Sequence, residues 1–129
     1  MLNVDLIIRD LDGQAVVALR GELCLADTPG VASHLIAAMT ACGPSVIVDL
    51  AGLEGIGYSG LSVLLRVRRW ARRSGGDLPL AAPKQPVRQI LEATGLIDVF
   101  SVHPSVEEAA SSIRQARAWS PAAPPRRDR

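Results

Sequence analysis

The sequence predicts an α/β domain built on a mixed β-sheet, and three observations carry that reading. A strong turn signal, Asp12-Gly13, joins two strand-like runs near the start. Beyond it, short apolar runs alternate with stretches of helical periodicity. One of those runs, Val46-Ile47-Val48-Asp49-Leu50, is almost continuously apolar. That suits a central strand covered on at least one face.

Each element follows from local signals. Val4 to Ile8 reads as a first strand, and Gln14 to Arg20 returns beside it. Asp27 or Thr28 can cap a first helix, with Pro29 in its first turn, where a missing N–H costs nothing. Val31, Leu35, Ile36 and Met39 recur at helical spacing until Gly43-Pro44 stops them. The strand from Val46 to Leu50 then runs into an expected loop, Ala51 to Tyr58, carrying Gly52, Gly55 and Gly57. A second helix is expected to open at Ser59-Gly60-Leu61. Leu61, Leu64, Val67 and Ala71 mark its apolar side, and Arg66, Arg69 and Arg73 form a stripe on the other. Ser74-Gly75-Gly76 ends it.

Leu78 to Ala82 reads as a short strand, and Pro86 opens a short helix through Leu91, with Gly95 as its left-handed cap. Val99 to Val102 is the expected last strand. Ser105-Val106-Glu107-Glu108 fits a capping box, and Val106, Ala109, Ala110 and Ile113 line the last helix. The short βα connections favour right-handed crossovers. Residues 118–129, rich in Pro and Arg, are expected to form a disordered tail to a single domain over residues 1–117.

Composition narrows function. The chain has 129 residues, enough for one core and too few for two. A net charge of +1 and 3% aromatics argue against a nucleic-acid binder. No apolar stretch approaches the roughly 20 residues that span a bilayer. Met1 to Asp5 lacks a basic region before an apolar run, so a cytoplasmic protein is expected. Cys24 and Cys42 are then reduced thiols, with a disulfide between them the rarer alternative. Without nearby histidines they make a poor metal site.

A search for catalysis finds no constellation, and no enzyme is expected. His34 reads as a helix-surface residue and His103 as a loop residue. Neither accompanies a nucleophile motif. Asp49 reads as a hydrogen-bonded carboxylate in its strand, with an acid role as the alternative. Gly52, Gly55, Gly57 and Gly60 loosely suggest a phosphate cradle. The Lys-Ser/Thr pair of a P-loop is missing and the spacing does not suit a dinucleotide fingerprint. No cofactor is expected.

Over residues 4 to 115 the chain resembles the STAS domains, and among them the bacterial anti-sigma factor antagonists. The resemblance rests on Gly21-Glu22-Leu23, on Val46-Ile47-Val48-Asp49-Leu50 followed by Ile56-Gly57-Tyr58-Ser59-Gly60-Leu61, on Gly75-Gly76-Asp77-Leu78, on Ile90-Leu91 with Thr94-Gly95-Leu96, and on Glu107-Glu108-Ala109. It implies a mixed sheet of four to five strands with helices packed mainly on one side. It also implies a non-enzymatic protein, a monomer or weak homodimer, that binds an anti-sigma factor. That partner is usually a serine kinase of histidine-kinase-like fold. Binding frees a sigma factor, and phosphorylation of a hydroxyl residue at the helix N-terminus reverses it.

The motif departs from the family where the switch should be. The family has Asp-Ser-Ser/Thr-Gly-Leu; this chain has Gly57 at the Asp position and Tyr58 at the phosphoacceptor position, and keeps only the second hydroxyl, Ser59. Gly-Glu-Leu-Asp becomes Gly-Glu-Leu-Cys, with Cys24 in place of the acid. The implied partner-binding residues are Glu22, Cys24, Gly57, Tyr58, Ser59 and Gly60. Ser59 reads as the helix N-cap or as a displaced phosphoacceptor. Tyr58 reads as tucked onto the domain or as an exposed anchor. Glu22 reads as a structural carboxylate or as a contact. The arginine stripe reads as a solvated face or as a docking surface for an acidic partner. A STAS module serving as a ligand sensor or scaffold in another signalling assembly is the alternative function.

Overall fold

The computed structural model describes residues 4–24 and 27–118. A five-stranded sheet forms its centre, in the order β1 (Val4–Leu11), β2 (Gln14–Leu23), β3 (Val46–Ile56), β4 (Leu80–Ala81), β5 (Val102–His103). The β1–β2 pair is antiparallel and the other three pairs are parallel. Asp12 and Gly13 form the hairpin turn, both with positive φ, the conformation a two-residue turn needs.

Helices α1 (Thr28–Cys42), α2 (Tyr58–Arg73) and α3 (Gln85–Ala93) make the three crossovers. The strand order never reverses, so crossovers of one hand put all three helices on one face. Their buried residues, among them Leu35, Leu64 and Leu91, share one core with Val17, Leu19, Val48 and Leu50 of the sheet. α4 (Val106–Ala118) follows the last strand among the described residues, and it packs on the opposite face. There Val106, Ala109, Ala110 and Ile113 meet Val16, Ile47 and Ala81. The run around Val46 is therefore covered on both faces, which is why its apolar residues do not alternate with polar ones.

Several expected element boundaries need correction, and the strand expected over Leu78 to Ala82 is only Leu80–Ala81. The stretch expected as a loop from Ala51 is strand as far as Ile56. β3 stays paired with β2 because the register shifts between Ala18 and Arg20 and again between Gly21 and Glu22. These irregularities place Leu53 and Ile56 both in the core, three residues apart, and so hide the two-residue period of a strand. The last strand is not Val99 to Val102. Leu96–Asp98 form a 3₁₀ turn after Gly95, which is in the left-handed conformation, and Val99 has helical angles. Only Val102 and His103 pair with β4.

Other local signals hold. α3 begins one residue before Pro86, and Ser105 Oγ accepts the Glu108 N–H at 3.1 Å at the start of α4. A side chain on Gly76 would run into the Pro44 carbonyl, so only glycine lets these two connections cross. The tail expected from residue 118 onward lies almost wholly outside the described residues.

Candidate functional site

The parallel strands all point one way, and their C-terminal ends form one edge of the domain. β2 leaves the sheet there at Leu23, and β3 gives way to α2 through a single residue, Gly57. The two exits are tied together: the Gly57 N–H donates to the Leu23 carbonyl at 3.1 Å.

Helix α2 starts at Tyr58, not at Ser59, and its N-cap is Gly57 in extended conformation. The N-cap role expected for Ser59 is therefore overturned: Ser59 is the second helical residue. The cause lies one turn on. A Cβ at Gly60 would sit 2.8 Å from Leu23 Cγ and 2.9 Å from Ile56 Cγ1. The first turn of α2 thus rests on the Leu23 and Ile56 side chains at the ends of β2 and β3, with no side chain of its own at Gly60, and the helix begins as soon as β3 ends.

Above that contact, Tyr58 is 75% exposed. Of its two readings, the tucked one is excluded. Ser59 is half-buried, Gly57 is exposed and Gly60 is buried. Glu22 is exposed beside Gly55, and its carboxylate has no hydrogen-bond partner among the described residues. Cys24 is half-buried, and its N–H donates to Asp27 Oδ2 at 2.9 Å. Asp27 is fully buried and its own N–H returns to the Cys24 carbonyl at 3.0 Å. This reciprocal pair fixes the path by which the chain leaves β2. Six sequence-selected residues, Glu22, Cys24, Gly57, Tyr58, Ser59 and Gly60, thus fall in two segments joined by a backbone hydrogen bond. The domain's last helix lies on the other face of the sheet and does not cover them.

Sequence reading missed the residues that support this surface. Leu23 and Ile56 form the floor under Gly60. Lys84 Nζ meets Glu54 Oε2 at 2.7 Å and ties the α3 approach to the far end of β3, an exposed pair worth ~1 kcal/mol or less. Leu23 and Ile56 stand inside the motifs that carry the family resemblance, the one signal that could have pointed to them.

The remaining chemistry-bearing residues have structural partners. Asp49 Oδ1 accepts the Ala51 N–H at 3.0 Å, and its Oδ2 lies 3.7 Å from Arg9. His34 Nδ1 is 2.7 Å from the Gly30 carbonyl, and His103 Nε2 is 3.0 Å from Ser101 Oγ. Cys24 and Cys42 lie at opposite ends of α1, whose 15 residues span ~22 Å, beyond disulfide reach. No cluster of three potential metal ligands occurs among the described residues. A shallow pocket of about 560 Å³ opens near Ala82, Arg88 and His103, but Arg88 is already 3.4 Å from Glu92. Among the arginines of α2, Arg66, Arg69 and Arg73 are exposed, whereas Arg68 and Arg72 reach Asp77 at 3.4 and 3.9 Å. No helix among the described residues is long and apolar enough to cross a membrane.

Comparison with known proteins gives a consistent picture. The family model of the STAS domain matches residues 5–109. The anti-sigma-F factor antagonist RsfA of Mycobacterium tuberculosis is 32% identical over 108 residues, covering 81% of this chain and 84% of RsfA. BtrV of Bordetella bronchiseptica, named as a candidate anti-sigma factor antagonist, is 31% identical over 106 residues, covering 82% of this chain and 91% of BtrV. The crystal structure of an anti-sigma factor antagonist from Mycobacterium paratuberculosis superposes with a TM-score of 0.77 at 24% identity, covering 86% of this chain and 94% of that one. That last likeness is one of fold.

Proposed function

The chain belongs to the STAS domain family, and from that premise we propose that it is an anti-sigma factor antagonist that binds a kinase-type anti-sigma factor and so frees a sigma factor. The observation that carries this reading is the exposed Tyr58 at the N-terminus of α2, set on a floor shared with the β2 exit. A large amphipathic side chain held out on a rigid base suits a protein partner, since such residues dominate interface energetics. The RsfA and BtrV names support the class of partner.

The proposed contact surface is Glu22, Cys24, Gly57, Tyr58, Ser59 and Gly60. In the family, a phosphate at this helix start would add ~1.5 to 2 negative charges. The α2 N–H groups would tolerate it within the domain, but a close-packed partner would have to desolvate it, and the complex would part. Here Tyr58 occupies that position, and its hydroxyl lies several ångströms further out than a serine's. Binding is therefore not switched by serine phosphorylation at that position, and Ser59 is the remaining candidate acceptor.

The test is incubation with the kinase-type anti-sigma factor and ATP, followed by a pull-down and intact-mass spectrometry. A stable complex without phosphate on Tyr58 is expected. Phosphate on Tyr58 with loss of the complex defeats the proposed loss of switching. Phosphate on Ser59 identifies a displaced switch. Failure to bind any such partner shifts the reading to a STAS scaffold or sensor in another assembly.

A further inference from the structure

Strand β1 forms one edge of the sheet, and nothing among the described residues pairs with its outer side. An eight-residue edge is an invitation to another strand unless a bulge, proline or inward charge blunts it. β1 has neither bulge nor proline: its register with β2 is unbroken from Val4 to Leu11, and its charges, Asp5, Arg9 and Asp10, are exposed. It also exposes two large apolar side chains, Ile7 at 44% and Ile8 at 51%.

We propose that this edge is the interface of a homodimer, in which β1 of two copies pair antiparallel with Ile7 opposite Ile7 of the second copy. Two facts fix that register. The first is which backbone groups face outward. In a two-residue turn the closing pair is hydrogen-bonded, here Leu11 with Gln14. Alternation along the strand then turns the backbone of Asp5, Ile7, Arg9 and Leu11 toward β2, and that of Val4, Leu6, Ile8 and Asp10 outward. Only registers that bring outward residues opposite outward residues can form a ladder. The register centred on Ile7 does so and pairs Val4 with Asp10 and Leu6 with Ile8.

The second fact is charge. The same register places Asp5 opposite Arg9, twice by symmetry, in the non-hydrogen-bonded pairs where side chains come closest. Sliding by one step each way on both strands puts Asp5 opposite Ile7 or Leu11 instead, and loses that match. Asp5 is exposed and has no ion pair among the described residues, while Arg9 is half exposed and reaches only Asp49 at 3.7 Å. Asp5, Ile7 and Arg9 lie on the α4 side of the sheet, as Arg9 to Asp49 and Leu11 to the α4 core require. Ile8 would meet Leu6 of the second copy on the other side. The two parallel sheet portions would then run in opposite senses, so the two C-terminal edges would point away from each other and both stay open. This inference does not depend on the partner proposed for those edges.

Sedimentation over micromolar to millimolar concentrations tests it. The wild type should show a monomer–dimer equilibrium. Arg9→Asp, which sets two like-charge pairs face to face, should raise the dimer Kd about tenfold or more, and Ile7→Lys should do the same. The double charge swap Asp5→Arg with Arg9→Asp should restore it to within a few-fold. Hydrogen exchange on the wild type gives a readout that needs no variant: the Leu6 and Ile8 amides should gain protection as concentration rises, whereas the Ile7 amide, already bonded to β2, should not. A wild type that is monomeric throughout, a dimer indifferent to Arg9→Asp, or Leu6 and Ile8 amides indifferent to concentration overturns the proposal.

Discussion

Tyr58 and Gly60 sit two residues apart at the start of α2, yet their surroundings differ completely. At Gly60 a single extra carbon would strike Leu23 and Ile56. At Tyr58 a whole aromatic side chain stands 75% exposed. The first position has room for nothing because the helix rests directly on two strand ends. The second stands at the first position of α2 and projects into solvent. A crowded floor and a free tip thus stand side by side after one short connection, Gly57. The contrast places stability in the floor, and the tip is where the proposed recognition would act.

Substitutions can break that contrast or sharpen it. The largest expected loss is in the core under α2. Leu64 is fully buried, and Leu64→Ala should lower unfolding free energy by about 2–5 kcal/mol in urea titration. Gly60→Val comes next: overpacking against Leu23 and Ile56 should cost about 1–3 kcal/mol by the same measurement. A stability equal to wild type would mean the seat is loose. Ser105→Ala removes the acceptor for the Glu108 N–H on the far face and should cost ~1 kcal/mol, with partner binding unchanged. Tyr58→Ala should have the smallest effect on stability, within ~0.5 kcal/mol, because the side chain buries little. A large destabilisation there would mean the tip also belongs to the floor.

Most of the architecture was legible in the residues. The Asp12-Gly13 turn, the central strand at Val46 and the apolar faces of α2 and α4 each follow one local rule; that this strand is covered on both faces came only with α4. What escaped notice depends on tertiary contacts. The extension of β3 to Ile56 is held by irregular pairing with β2, which no single-strand period can reveal. The strand expected at Val99 yielded to a 3₁₀ turn set by Gly95. Ser59 has the right chemistry for an N-cap, but Gly60's contact with Leu23 lets the helix begin earlier and moves the cap to Gly57. For the site, the motif residues could be chosen from sequence. That Tyr58 projects rather than folds back, and that Cys24 is held by buried Asp27, could not.

The most direct test is titration calorimetry of the kinase-type anti-sigma factor with wild type and with Tyr58→Ala, each first shown to melt at the same temperature. Exposed Tyr58 as the anchor predicts at least about a tenfold loss of affinity in the variant. Equal affinity in the two proteins, both fully folded, would contradict it.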